Sequence, residues 1–286
     1  MSVLFCFGLG YTAGFLARRL KAEGWEVRGT TRDRARLAGL EDAGFLPFLF
    51  GRDRPLDHPA KALAGVTHVL HSVPPDPEGD PVLDRHGDDL RALGDGLAWV
   101  GYLGTTAVYG DRGGDWVGED DAPAPTLERA RRRAAAEAAW RASGLPVHVF
   151  RLAGIYGPGR SALDRVRAKG PGGKAHRIDL PGQVFSRVHV DDIASGVMAA
   201  MTGDAPRGAY NLADDLPCSQ NAVIEEACRL LGVEPPPLQT IDEAGLSPMA
   251  RGFYAENRRV ANGKARRVLG WQPRYPTYRE GLRSLL

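Results

Sequence analysis

Near its start the chain reads Gly8-Leu9-Gly10-Tyr11-Thr12-Ala13-Gly14, two glycines and a small residue spaced as G-x-G-x-x-A. At that spacing the first glycine permits a tight turn and the second lets backbone approach a pyrophosphate. Ala13 or Gly14 then keeps the next helix close to a sheet. The phosphate charge is met by N–H groups at the helix start. The chemistry expected of Gly8, Gly10, Tyr11, Thr12 and Ala13 is therefore dinucleotide binding. Further on stands Thr30-Thr31-Arg32, where an NAD enzyme carries an acid for the adenosine ribose. Thr31 and Arg32 instead favour the 2′-phosphate of NADP, and Asp33, one or two positions late, keeps NAD as the alternative.

Other side chains offer weaker chemistry. Arg160, Arg165, Arg167 and Arg187, with Lys169 and Lys174, form either an anion pocket or an exposed basic face. His71, His86, His148 and His189 are candidate bases. His148 lies within an apolar strand and reads as structural, whereas His71 ends a strand near the glycine turn. His176 and Asp179 have no third ligand close by, so no metal is expected. Asp191 and Asp192 open a helix and read as caps.

The elements that must position these residues alternate between two periods. Val3–Phe7 is a short apolar run followed at once by glycine, hence a buried strand, and 12–22 is a helix. Strands follow at 25–30, 45–50, 67–73, 99–105 and 147–153, with Pro47 moving the third toward an edge. Helices are expected at 33–43 and from Thr126, as cap, to Ser143, the latter with Glu128–Arg132, Arg133–Glu137 and Glu137–Arg141 at i,i+4. Strands separated by helices imply an α/β fold, a Rossmann-type doubly wound parallel sheet. Residues 157–183 read as loop plus a short helix, 191–201 as a helix, 209–212 as a strand, and 219–231 as a helix capped by Ser219. The expected division is a dinucleotide-binding domain over 1–153, with 185–212 returning to it. A smaller C-terminal substrate-binding lobe takes 154–184 and 213–286.

Composition narrows the function classes. The 37 basic and 35 acidic residues leave a net charge of +2, which argues against nucleic acid as a partner. Cys6, Cys218 and Cys228 form no C-x-x-C pair, as in a reducing, cytoplasmic setting. No apolar run approaches the ~18 residues of a membrane span, so no membrane partner is expected. Only five basic residues are Lys, at 21, 61, 169, 174 and 264, so a long Lys-free interval runs from 61 to 169.

Several segments, in order, resemble the extended short-chain dehydrogenase/reductases, the NAD-dependent epimerase/dehydratase family. They are the glycine turn, Val69-Leu70-His71-Ser72-Val73, Tyr102-Leu103-Gly104-Thr105-Thr106-Ala107-Val108-Tyr109-Gly110, and Arg151-Leu152-Ala153-Gly154-Ile155-Tyr156-Gly157-Pro158-Gly159. Arg187-Val188-His189-Val190-Asp191-Asp192, Tyr210-Asn211-Leu212 and Leu269-Gly270-Trp271-Gln272-Pro273 complete the set. The resemblance implies hydride transfer on a small, sugar-like molecule, with Ser72 and Val73 along the cofactor. It makes Thr105 the catalytic hydroxyl. The family's habit of packing two helices across subunits implies a homodimer.

The departures matter as much. The family's acid/base pair is Y-x-x-x-K, and no such spacing occurs here; the Lys-free interval covers the helix where it belongs. Arg129 falls at the Tyr position and Arg133 at the Lys position, and a guanidinium shuttles no proton near neutrality. Arg133 is left as a cofactor contact, and both arginines also read as solvent-facing partners of Glu. Thr106 and Ala107 replace the dehydratases' acidic pair, and Gly154 replaces an Asn. Proton transfer then falls to water, His71 or Tyr109, with Thr106, Tyr156, Arg160 and Arg187 toward the substrate. The expectation is an atypical NAD(P)-dependent oxidoreductase or epimerase, or a non-catalytic NADP(H)-binding sensor or scaffold.

Overall fold

The computed structural model describes residues 2–168 and 175–286. Its centre is a seven-stranded sheet whose strands, labelled here in chain order, are β1 (Val3–Phe7), β2 (Glu26–Thr31), β3 (Leu46–Leu49), β4 (His68–His71), β5 (Trp99–Thr105), β6 (Val147–Leu152) and β7 (Gly208–Leu212). The spatial order is β7-β6-β5-β4-β1-β2-β3. β1 pairs in parallel with β2 and β4, β2 with β3, and β4 with β5. This is the doubly wound order, with the chain reversing direction of growth between β1 and β4. Every residue of β1 and of β6 is buried, as expected of strands covered on both faces. The Pro47 strand is the edge, where its missing N–H costs no ladder bond.

The longer helices are α1 (Tyr11–Ala22), α2 (Pro81–Arg91), α3 (Glu128–Ala142), α4 (Val190–Thr202) and α5 (Gln220–Leu231). The segment expected as one helix over 33–43 divides into a 3₁₀ turn, Arg34–Arg36, and a short α-helix, Leu37–Asp42. α2 had no counterpart in the sequence reading. Its start is set by Asp80, whose carboxylate accepts from the N–H groups of Val82 and Leu83, with Pro81 at the first helical position. Thr126 does not cap α3; its hydroxyl donates to the Glu256 carboxylate instead. Ser219 caps α5 as expected, accepting from the Ala222 N–H at 3.1 Å.

The chain divides into two compact units. The first comprises Met1–Thr105, Glu128–Arg151 and Val197–Tyr210. Its core gathers Val3, Phe5, Phe7, Val69, Val100, Trp140 and Val149. The second comprises Thr106–Leu127, Leu152–Gly196 and Asn211–Leu286, so the segment between β5 and α3 belongs to it. Its core packs the helix Ala162–Arg167 against α5 and the C-terminal helix Tyr278–Arg283, through Leu163, Ile224, Cys228 and Leu282.

Candidate functional site

In the first unit β1 runs straight into the glycine turn. Gly8 has φ +85°, a conformation open to glycine and strained for other residues. A Cβ there would stand 3.1–3.2 Å from Val73 and the Ser72 carbonyl carbon. The turn is pinned to β2: the Gly8 N–H donates to the buried Thr30 hydroxyl and the Leu9 N–H to the Thr30 carbonyl, both at 2.8 Å. Gly10 differs. It precedes α1 with φ −95°, and a Cβ built on it would meet nothing nearer than the Gly8 carbonyl oxygen at 3.9 Å. The protein's own packing thus does not require glycine at 10. A bare backbone facing open space at the start of a twelve-residue helix, with no side-chain cap and no acid in its first turn, fits a dinucleotide pyrophosphate. Ala13 is fully buried; Tyr11 and Thr12 are half-buried.

At the end of β2, Thr31 is buried and its hydroxyl accepts from the Asp33 N–H at 3.2 Å. The Asp33 carboxylate is committed to the Ala35 N–H at 2.9 Å. Arg32 is exposed and makes no hydrogen bond or ion pair with the described residues. Arg36, not among the expected site residues, donates to the Leu9 carbonyl at 3.2 Å and so ties the post-β2 segment to the glycine turn. The signal for it was present as the alternating basic run Arg32, Arg34, Arg36. Ser72 leaves β4 with its N–H on the Phe7 carbonyl at 2.8 Å, which sets Ser72 and Val73 beside the turn.

The structure removes His71 from the list of accessible bases. It is fully buried, with ring centroids of Tyr102 and Trp140 at 5.2 and 4.8 Å. Its Nε2 stands 2.7 Å from the Asp80 carboxylate, and its Nδ1 accepts the Val73 N–H at 3.4 Å. Burial raises the Asp80 pKa, but His71 and backbone N–H groups outweigh this and hold the carboxyl below its ordinary value. His71 therefore fastens the end of β4 to the start of α2. Thr105, the last residue of β5, is half-buried. Arg133 turns inward rather than out to a Glu: it donates to the Leu103 carbonyl at 2.6 Å and lies over the Tyr102 ring. Its expected partner Glu137 is buried and forks onto Arg151, the closest contact being 2.7 Å. Arg129 is exposed on α3.

The other expected residues fall in the second unit. Thr106 is buried in the short turn that follows β5. Tyr109 is fully buried and its hydroxyl donates to Asn211 at 2.8 Å, so its proton is committed to the fold. The Arg187 guanidinium donates to the carbonyls of Phe185, Cys218 and Ser219 and to Gln220. Tyr156 is buried and packs edge-on against His189. Arg160 is exposed in a tight turn with Gly157. Of the basic residues expected to gather, Arg165 and Arg187 share a cavity with Tyr156, whereas Lys169 and Lys174 lie outside the described residues. Asp192 is no cap: its carboxylate receives the N–H groups of Arg274 and Tyr275, anchoring the C-terminal segment. Among the described residues no three metal-type ligands come together, and no helix is long and apolar enough to cross a membrane.

No protein-family model matches the chain. It is similar to a solved, functionally unknown conserved protein from Silicibacter pomeroyi DSS, at 45% identity and a TM-score of 0.91 over 100% of this chain and 98% of the other. Over 149 residues, 47% of this chain and 45% of the relative, it is 34% identical to a 3-diazoavenalumate denitrifying reductase of a Streptomyces species. The UDP-glucuronic acid 4-epimerase of Bacillus cereus, solved with NAD, shares the fold at 17% identity, with a TM-score of 0.76 over 99% of this chain and 95% of that one. The chain thus belongs with the Silicibacter pomeroyi protein, and its fold is that of NAD-dependent epimerases and dehydratases such as the Bacillus cereus enzyme.

Proposed function

We propose that this protein is an NADP-dependent, epimerase/dehydratase-like oxidoreductase that reduces a carbonyl of a small molecule without a tyrosine acid. The observation that carries the reading is the glycine at position 10, which the fold does not need and a pyrophosphate does. The exposed Arg32 and the committed Asp33 carboxylate favour a 2′-phosphate over bare ribose hydroxyls. The resemblance of half the chain to a reductase supports reduction over elimination. When bound, the dinucleotide supplies a hydride. Gly8, Gly10 and the start of α1 would hold its phosphates, Arg32 its 2′-phosphate, and Ser72 and Val73 its flank. The Thr105 hydroxyl would donate to the substrate oxygen and recover its proton from water, since His71 and Tyr109 are locked away.

That same locking favours a second reading, a protein that binds NADP(H) without turnover. Calorimetry with NADP and NAD tests the shared part: Arg32→Ala should weaken NADP far more than NAD, and equal weakening contradicts the phosphate contact. Turnover separates the two readings. Across a carbonyl panel NADPH should be oxidised, and Thr105→Val should cost about 2–3 kcal/mol, roughly 30- to 150-fold in rate. Tight NADPH binding with no oxidation of any substrate selects the sensor.

A further inference from the structure

The segment after β2 carries three arginines in alternation, Arg32, Arg34 and Arg36, all exposed. Elsewhere in the first unit Arg28, Arg52, Arg91, Arg132 and Arg151 each hold a carboxylate. The three after β2 form no ion pair with the described residues, and the acid between the first two, Asp33, spends its carboxylate on the Ala35 N–H. Like charges this close along the chain repel one another, and a bound anion relieves the repulsion.

The outer two arginines are anchored and the middle one is not. One terminal nitrogen of Arg36, Nη2, donates to the Leu9 carbonyl inside the glycine turn at 3.2 Å. That bond fixes the tip of a long side chain and leaves its remaining N–H groups without acceptors among the described residues. Arg32 is held from the other side. A Cβ built on Gly51, two residues past β3, would meet its Cγ at 3.8 Å and its Cδ at 4.0 Å, so its stem lies along that backbone. Because β2 lies between β1 and β3 in a parallel sheet, the glycine turn and Gly51 flank the end of β2. Arg36 stands on one flank and Arg32 on the other, while Arg34 makes no hydrogen bond or ion pair with the described residues. The end of β2 is where this kind of fold meets an adenosine ribose, and so where a 2′-phosphate would stand. A phosphomonoester carries close to two negative charges near neutrality, more than one guanidinium offsets. We propose that Arg36 is the second arm of a 2′-phosphate clamp, facing Arg32 across the end of β2.

The clamp rests on the NADP reading above, and the test separates the two. The full-length protein is titrated by calorimetry, at fixed ionic strength, with NADP, NAD, adenosine 2′,5′-bisphosphate and 5′-AMP. The last two differ only in the 2′-phosphate. The parent should prefer NADP to NAD and the bisphosphate to AMP. Loss of a charged hydrogen-bonding pair costs about tenfold or more in affinity, so Arg36→Met should weaken NADP and the bisphosphate by about that factor. NAD and AMP should change by less than about threefold in the same variant, which also shows that it is folded, and Arg34→Met should leave all four ligands within about threefold of the parent. Equal weakening of NADP and NAD by Arg36→Met would mean that the residue holds the glycine turn and not the phosphate. That result overturns the clamp and leaves the dinucleotide reading standing. A loss of NADP preference in Arg34→Met as large as in Arg36→Met overturns it as well, since an unspecific basic run then suffices. A parent that binds NAD as tightly as NADP overturns the NADP reading itself, and the clamp with it.

Discussion

Gly8 and Gly10 stand two residues apart and are glycines for different reasons. Gly8 answers to the chain: positive φ and the nearness of Val73 leave no strain-free place for a Cβ. Gly10 has no such tie to the fold, and the proposed pyrophosphate is what would call for a glycine there. Gly8→Ala should therefore lower stability by about 1–3 kcal/mol, seen in urea unfolding with or without ligand. Gly10→Ala should leave unfolding within about 0.5 kcal/mol of the parent and weaken dinucleotide binding more than tenfold by calorimetry. Unimpaired binding in that variant would remove the pyrophosphate from this turn. Both glycines were legible from spacing. The fate of His71 and Tyr109 was not. Spacing reports a residue's type and its place on a strand, but the Asp80 carboxylate that holds His71 comes from a helix start the sequence reading passed over. The Asn211 that holds Tyr109 lies 102 positions away.

At the scale of elements, α3 shows where helical periodicity stops being informative. Its i,i+4 pairs read as a solvated face, and Glu128 does bind Arg132 at the surface. Arg133 and Glu137 are spaced as well, yet they diverge: one reaches the β5 backbone and the other the buried Arg151 on β6. A helix lying on a sheet turns part of its charge pattern inward, and only the strand beneath decides whether a partner waits there. The two kinds of pair should differ in weight. Glu137→Ala strands a buried guanidinium and should cost about 3–5 kcal/mol; Arg132→Ala breaks an exposed pair and should cost under about 1 kcal/mol. Parallel chemical unfolding of the two variants measures this, and equal costs would mean that Glu137 does not hold α3 to the sheet. The sheet strands themselves were readable to within two residues at most ends, because short apolar runs between turns leave few alternatives.

Over the whole molecule, buried titratable groups set opposing pH dependences. His68 and His148 have pKa values below the ordinary 6.5, each because burial disfavours the imidazolium. As pH falls through 6.5 the unfolded chain takes up protons first, so their stabilising share is lost toward acid. Asp214 runs the other way. Burial raises it from 3.8 to about 7, so the folded state binds the extra proton and stability falls as pH rises through that interval. Asp214→Asn should raise the melting temperature more at pH 8 than at pH 5, and His148→Gln should flatten the acid-side loss; a uniform shift for Asp214→Asn at both pH values would contradict burial as the cause. The sequence by itself determined the doubly wound sheet, the glycine turn after β1 and the absence of a Y-x-x-x-K pair, because these are set by neighbours and by periods of two to four residues. Only the tertiary structure decided which side chains remain free to act. Burial and hydrogen-bond partnership join residues tens to hundreds of positions apart, and they turned two candidate bases into fasteners and two substrate arginines into the walls of a small cavity or an exposed turn.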